Sequence, residues 1–132
     1  PADARPRDRR AGALLLKPRQ GFDSLRSDGW ELYTLARRLG LSDLGTYNPA
    51  ATLPGGGRSD HAYSPARAFD LGLTKAAGAP RARWFYRLAK TRPEVEYVIF
   101  ERLIWSRERG EHAYTAGGHA THVHVSLRHP AV

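Results

Sequence analysis

The spacing of apolar residues predicts a first helix between Asp28 and Gly40. Asp28 can cap its beginning, Glu31 can complete a capping box three residues later, and Gly40 supplies a stop. The apolar positions recur at i, i+3, i+4 and i+7, the spacing of one buried helical face, and they are Leu32, Leu35, Ala36 and Leu39. We expect this face to belong to the core rather than to a binding surface.

A second helix is predicted from Pro80, which suits a first turn, to about Arg92, because Pro93 cannot continue it. Its predicted buried residues are Phe85, Leu88 and Ala89. This face is also expected to pack into the core.

Strand patterns follow the second helix. Residues 95–100 and 103–105 are rich in β-branched and aromatic side chains and indicate one bent strand or a tight pair of strands, and residues 121–127 indicate the last strand. Residues 45–60 and 107–118 are rich in glycine, proline or polar side chains, which is typical of loops. The order of the elements predicts an α+β fold, a small antiparallel sheet with helices packed on one side.

Size and composition limit the classes to which the protein can belong. A chain of 132 residues with 41% hydrophobic and 26% charged residues can form one domain with a core. We assign residues 13–132 to that domain and residues 1–12 to a flexible basic tail. The absence of cysteine excludes a disulfide scaffold, a cysteine-ligated zinc and a thiol nucleophile. No apolar run reaches the length of a membrane span or of a signal-peptide core, so we expect neither.

The chain is strongly basic. Lys and Arg number 21 against 13 Asp and Glu, which gives a formal net charge of +8 with histidine neutral. Such a surface attracts polyanions, whether nucleic acid, acidic lipid or an anionic cell wall. The charge indicates a class of partner but not a reaction.

The last predicted strand carries two histidines on one face. Alternation directs the valines and the leucine of residues 122–127 into the core and places His122, His124 and Ser126 on the opposite face. Two imidazoles at i and i+2 on a rigid strand can share one site, in which one holds a metal ion and the other binds or protonates what the metal activates. Two surface histidines near a chain end are the alternative explanation.

A histidine and a carboxylate follow the glycine-rich loop. Asp70 lies on one face of a predicted strand with the small residues Ala66 and Ala68, which leave space for an ion or a substrate. With a histidine of the last strand, His61 and Asp70 form a set of two nitrogens and one oxygen, typical of a catalytic zinc with its fourth position open. Alternatively, Asp70 pairs with an arginine and His61 is an ordinary loop histidine.

Together these pieces resemble the D-Ala-D-Ala-carboxypeptidase-like zinc peptidases, the LAS-type group that also includes lysostaphin-type enzymes and the hedgehog signalling domain. The resemblance rests on Ser59-x-His61, Ala68-x-Asp70 and His122-x-His124 in this order, and it spans roughly residues 28–126. Within the group, the chain is most similar to phage endolysin peptidase domains and related actinobacterial peptidoglycan peptidases.

The resemblance implies a hedgehog-like or peptidase-like fold and an enzyme that depends on zinc. The resemblance implies His61, Asp70 and His124 as the metal ligands. It implies His122 and His119 as the catalytic histidines. It implies that Ser59 and Tyr63 orient ligands or substrate. The implied reaction is hydrolysis of peptide bonds in peptidoglycan stem peptides. The enzyme would act at the bacterial cell wall, either secreted or released by a phage.

The chain departs from the family pattern at two positions. Ser64 stands where the commoner motif has glycine, and the spacer from there to Asp70 is longer. Thr121 stands where many members have a glutamate that acts as general base. Either His122, helped by His119, transfers the protons, or the domain holds zinc without catalysis. We favour the first, because a neutral imidazole is a natural proton carrier near neutral pH.

Two functions of other classes are kept as alternatives. One is a catalytically inactive, zinc-holding binding domain, which the missing glutamate favours. The other is a basic nucleic-acid-binding module that would use the arginines of residues 5–10 and 81–92. Because these arginines are scattered and no recognition motif accompanies them, we expect no specific nucleic-acid partner. We expect a monomer whose partners are the peptidoglycan peptide and the anionic cell wall.

Overall fold

The protein is an α+β domain with two α-helices and one six-stranded antiparallel sheet, in a computed structural model that describes residues 15–75, 77–116 and 121–132. The α+β class predicted from the order of the elements is confirmed. The helices are α1 Trp30–Arg38 and α2 Ala79–Ala89, and the strands are β1 Ser42–Gly45, β2 Ala68–Gly72, β3 Val95–Phe100, β4 Leu103–Ser106, β5 Gly110–Ala113 and β6 His122–Leu127. Short 3-10 helices are formed by Phe22–Ser24, Ser27–Gly29 and Asp60–Ala62.

The strands lie in the order β1-β2-β6-β3-β4-β5, and every neighbouring pair is antiparallel. The last strand of the chain is therefore central, between β2 and β3. Residues 95–106 form a tight strand pair rather than one bent strand, and the chain turns at Glu101, which has a φ of 58°. The predicted last strand is confirmed as β6.

Both helices pack on one face of the sheet and form one hydrophobic core with it. The strand residues of this core include Phe69, Leu71, Val123, Val125 and Leu127, and the helix residues include Leu32, Tyr33, Ala36, Ala82, Phe85 and Ala89. Tyr33 contacts Phe69 edge to face, with 5.8 Å between ring centroids. Because alternate strand residues point to opposite faces, Asp70 and His124 lie on the face away from the helices.

The predicted capping box at the start of α1 is wrong. A 3-10 turn precedes the helix, and its first α-helical residue is Trp30. The Asp28 carboxylate accepts hydrogen bonds from Arg26, at 2.7 and 2.9 Å, instead of capping the helix. Glu31 forms an ion pair with Arg92 at 2.8 Å. Arginines near both acids compete with the helix amides for these carboxylates.

The predicted buried face of α1 is correct at Leu32 and Ala36 but wrong at Leu35, which is 37% exposed. The buried arc is rotated toward Tyr33, whose hydroxyl donates a 2.8 Å hydrogen bond to Asp43. In α2, Phe85 and Ala89 are buried as predicted, Leu88 is half-buried, and the helix ends at Ala89.

The two strands at the sheet edges were not predicted. β5 lies within residues 107–118, where a loop was expected, and that prediction is wrong for Gly110–Ala113. β1, Ser42–Gly45, was also missed. Both strands are four residues long and pair on one side only, so neither needs the alternating apolar residues that mark an interior strand. Their polar composition therefore resembles that of a loop.

Some predictions fall on residues that the structure does not describe. The predicted tail, residues 1–12, and the predicted catalytic residue His119 lie outside the described residues. Within the described residues, neither helix is long and apolar enough to cross a bilayer.

Candidate metal centre

Three side chains that are far apart in the sequence converge on the face of the sheet opposite the helices. Asp70 on β2 lies directly across from His124 on β6, and His61 approaches from the 3-10 helix Asp60–Ala62. The Asp70 carboxylate lies 2.9 Å from His124 Nδ1 and 3.1 Å from His61 Nε2. The two ring nitrogens are 3.3 Å apart. One ligand atom from each residue lies within 4.8 Å of the others, so this group can hold a metal ion.

The position of His61 is fixed by its backbone and by its second ring nitrogen. The Ser59 hydroxyl caps the 3-10 turn by accepting a 3.2 Å hydrogen bond from the backbone N–H of His61. His61 Nδ1 lies 2.7 Å from the carbonyl oxygen of Thr46. A carbonyl only accepts, so Nδ1 carries the hydrogen and the lone pair of the neutral ring is at Nε2. This lone pair points toward Asp70 and His124.

A chain of hydrogen bonds fixes the tautomer of His124. Its Nε2 lies 2.8 Å from the hydroxyl of Ser126, which in turn hydrogen-bonds to Tyr97. The Tyr97 hydroxyl donates to Asp60 at 3.5 Å. Because the chain ends at a carboxylate, each hydroxyl donates toward Asp60 and His124 Nε2–H donates to Ser126. In the neutral ring, the form that binds a metal ion, the lone pair of His124 is therefore at Nδ1, the nitrogen that faces Asp70; with a hydrogen on Nδ1 as well, the ring donates to Asp70 at 2.9 Å.

The surroundings of the group favour the ionised carboxylate. Burial alone would raise the pKa of Asp70, but when the imidazoles of His124 and His61 are protonated their hydrogen bonds and charge outweigh it and hold this pKa well below its usual range. Burial alone would lower the pKa of His61, but the hydrogen bond and charge of Asp70 outweigh it and raise this pKa. Asp70 therefore pairs with the two histidines, and the alternative in which it pairs with an arginine is wrong.

His122 lies on the same face of β6 as His124, one alternate position away. The β2 residue directly across from His122 is Gly72, which has no side chain to contact the imidazole. Burial lowers the pKa of His122 below its ordinary value; the charge of Asp70 opposes this effect, and the neighbouring histidines add to it. The surroundings of His122 therefore favour the neutral ring.

Tyr63, expected to orient ligands or substrate, packs beside the metal group rather than against it. The guanidinium carbons of Arg58 and Arg67 lie 4.0 and 3.7 Å from the centroid of its ring, and the ring of His129 is 6.2 Å away. His129 Nε2 lies 2.9 Å from a carboxylate oxygen of Asp60. Tyr63 thus belongs to the surroundings of Asp60, the last member of the hydrogen-bonded chain behind His124.

Two cavities meet at the metal group, and both are lined by Thr52, Ser59, His61 and Asp70. The larger, about 430 Å³, is otherwise lined mostly by polar groups, among them Gln20, Thr46, Tyr47 and Asn48. The smaller, about 230 Å³, is lined by apolar and aromatic side chains, which are Leu53, Pro54, Tyr97, Ile99 and Tyr114. The metal group therefore lies in a cleft with one polar arm and one apolar arm.

Four residues of the site were not predicted from the sequence. Thr46 positions His61 through its backbone carbonyl, which leaves no mark in the sequence. Asp60, Tyr97 and Ser126 form the chain behind His124. Of these residues, only Tyr97 and Ser126 could have been inferred from the sequence. Ser126 lies on the same face of β6 as His124, and Tyr97 is the β3 residue directly across from Ser126, which becomes evident once the strand register is known.

The chain was compared with protein-family models, curated proteins and solved structures, and no match was found in any of the three comparisons.

Proposed function

We propose that the protein is a zinc metallopeptidase that hydrolyses peptide bonds in the stem peptides of bacterial peptidoglycan. The observation that carries the proposal is the convergence of His61 Nε2, His124 Nδ1 and the Asp70 carboxylate, with both histidine tautomers set so that their lone pairs face one point. Structural zinc sites use four protein ligands, whereas a site with three leaves a position open for water or substrate.

Zinc is the ion that this donor set favours. Two imidazole nitrogens and one carboxylate oxygen form a ligand set used by catalytic zinc, whereas magnesium and calcium prefer oxygen ligands alone. The hydrogen bonds from the far side of each imidazole are of the kind that orient histidine ligands in zinc enzymes. The donor set of this chain therefore fits the metal.

Bound zinc lowers the pKa of water from about 15.7 to about 7 and polarises a substrate carbonyl. The other roles in the proposed reaction belong to side chains of the protein. Asp70 offsets part of the positive charge, and His61 and His124 hold their lone pairs in place. His122, on the same strand face, would accept the proton that the attacking water loses and pass it to the leaving amine, or would donate a hydrogen bond to the oxyanion. The cleft holds the peptide on both sides of the metal group.

The substrate class comes from the resemblance to LAS-type peptidases, which also implies a hedgehog-like or peptidase-like arrangement of the fold. The net charge of +8 is compatible with this substrate, because bacterial cell walls are polyanionic. The proposed place of action is the cell wall, reached by secretion or by release from a phage. The proposed active species is a monomer without a specific nucleic-acid partner.

The experiment is digestion of purified peptidoglycan with mass spectrometry of the released fragments. Release should stop with a chelator and return with zinc. His122→Ala should keep one zinc per chain and lose about 100-fold or more in turnover, because it removes a proton-transfer group. His124→Ala should lose the zinc. His112→Ala, a histidine on β5, is the matched control and should retain both properties.

A second candidate, a zinc-holding domain that binds the wall without cleaving it, is favoured by Thr121 at the position of the family's glutamate. Zinc-loaded protein that binds peptidoglycan but releases no fragments would establish this candidate and reject the peptidase. If His122→Ala retained full turnover, the role given to His122 would be wrong.

A further inference from the structure

The solvent side of α2 is a basic and aromatic surface. The helix buries Ala82, Phe85 and Ala89 against the sheet, and its exposed residues are Pro80, Arg81, Arg83, Trp84 and Arg87. No Asp or Glu occurs in the helix, and Trp84 is 50% exposed. We call Arg83, Trp84 and Arg87 the α2 face. Because α2 packs on the core side of the sheet, this face is directed away from the metal group.

One cation of the α2 face has no counter-charge. Arg83 pairs with Glu101 at 3.1 Å, and the nearby Lys90 pairs with Glu111 at 3.1 Å. Arg87 forms no ion pair or hydrogen bond with any residue in the described part of the chain. It lines a cavity of about 220 Å³ together with these two ion pairs, so the cavity carries an unbalanced positive charge.

Trp84 and Arg87 are neighbours on the helix surface, because residues three apart lie on the same side of a helix. A guanidinium binds a phosphate through two parallel hydrogen bonds, and an exposed indole offers a flat apolar surface for a sugar ring. A cation beside a flat ring matches a polymer in which phosphates alternate with sugars or polyols.

We infer that the α2 face binds the phosphate-containing polymer of the bacterial cell wall and holds the domain on its substrate. The inference rests on the proposed function for its choice of polymer. Because the α2 face and the metal group lie on opposite sides of the sheet, binding at one leaves the other accessible. The attraction is electrostatic in part, so retention should weaken as salt rises.

The test uses the whole chain treated with a chelator, so that no hydrolysis occurs. Co-sedimentation is measured with insoluble Gram-positive cell wall that carries its phosphate polymer, and with the same wall after hydrofluoric acid has removed the polymer. Removal of the polymer should weaken binding about tenfold, which corresponds to about 1.4 kcal/mol. The double variant Trp84→Ala, Arg87→Glu should bind intact wall about tenfold more weakly than the unmodified chain.

The matched control is Lys17→Glu, which makes the same change of charge at an exposed residue outside the α2 face and should bind like the unmodified chain. Both variants should cleave a soluble stem peptide at the normal rate when loaded with zinc. Equal binding to stripped and intact wall would overturn the inference. An equal loss of binding in Lys17→Glu and in the Trp84→Ala, Arg87→Glu double variant would also overturn it. Tighter binding of a single-stranded oligonucleotide through Trp84 and Arg87 would assign the face to nucleic acid instead. Failure of peptide cleavage alone would reject the proposed function and leave the wall-binding result intact.

Discussion

At the scale of single residues, the orientation of the histidines in the metal group depends on side chains outside that group. His124 can present Nδ1 to an ion only if its other nitrogen keeps the hydrogen, and Ser126 and Tyr97 enforce this by donating toward Asp60. His124 is only 7% exposed, so water has little access as a substitute partner. The orientation of the ligand is therefore built into the strand pair β3–β6.

Replacement of Ser126 by alanine is expected to weaken zinc binding about 10- to 100-fold, because His124 Nε2 loses its partner. Ser126 is fully buried, and the added space is small, so the fold should persist. Calorimetric titration of the metal-free protein with zinc measures the change. Thr34→Ala removes another buried hydroxyl, on α1, and serves as the control. Zinc affinity that is unchanged in Ser126→Ala would show that the hydrogen-bonded chain does not orient the ligand.

At the scale of elements, the helices and the interior strands could be predicted from the sequence, whereas the two strands at the sheet edges could not. β6 and β3 are recognisable because they are interior strands with buried valines. β1 and β5 lie at the edges, where short polar segments suffice, and so they look like loops. The site followed the same rule. The three residues of the metal group could be predicted because His and Asp are chemically distinctive, whereas the contact of the Thr46 carbonyl and the role of Tyr97 depend on the tertiary fold.

Two leucines of α1 test the observed rotation of the helix. Leu32 is 0% exposed, whereas Leu35 is 37% exposed. Leu32→Ala should cost about 2–5 kcal/mol of the free energy of unfolding, the range for a leucine deleted from a core. Leu35→Ala should cost less than about 1 kcal/mol. Both substitutions replace leucine by alanine in the same helix, so their effect on helix propensity is the same. The difference between their free energies of unfolding, measured by urea denaturation, therefore reports the difference in burial. Equal losses of stability would mean that α1 is rotated as the sequence pattern alone predicts.

At the scale of the whole molecule, buried tyrosines make folding sensitive to alkaline pH. Burial and the hydrogen bond to Asp43 raise the pKa of Tyr33 to about 12, and burial raises the pKa of Tyr97 to about 12. A raised pKa means that the folded state holds the proton more tightly than the unfolded chain. Their contribution to stability is therefore complete below the unfolded value of about 10 and is lost as the pH rises from there to about 12.

We expect the free energy of unfolding to fall by about 1.4 kcal/mol per pH unit for each such tyrosine across this window. Tyr33→Phe should be less stable at pH 8, because Asp43 loses a hydrogen bond, but its stability should fall less steeply between pH 10 and pH 12. Denaturation with urea at several pH values gives both quantities. A slope identical to that of the unmodified chain would show that Tyr33 does not carry this dependence.

The central claim is that His61, Asp70 and His124 bind one zinc ion in an open site. An anomalous difference map of zinc-soaked crystals, recorded at the zinc absorption edge, tests it most directly. The account predicts one peak within about 2.0–2.2 Å of His61 Nε2, His124 Nδ1 and an Asp70 oxygen, with no fourth protein ligand. A peak bound elsewhere, or no peak between these three side chains, would contradict it.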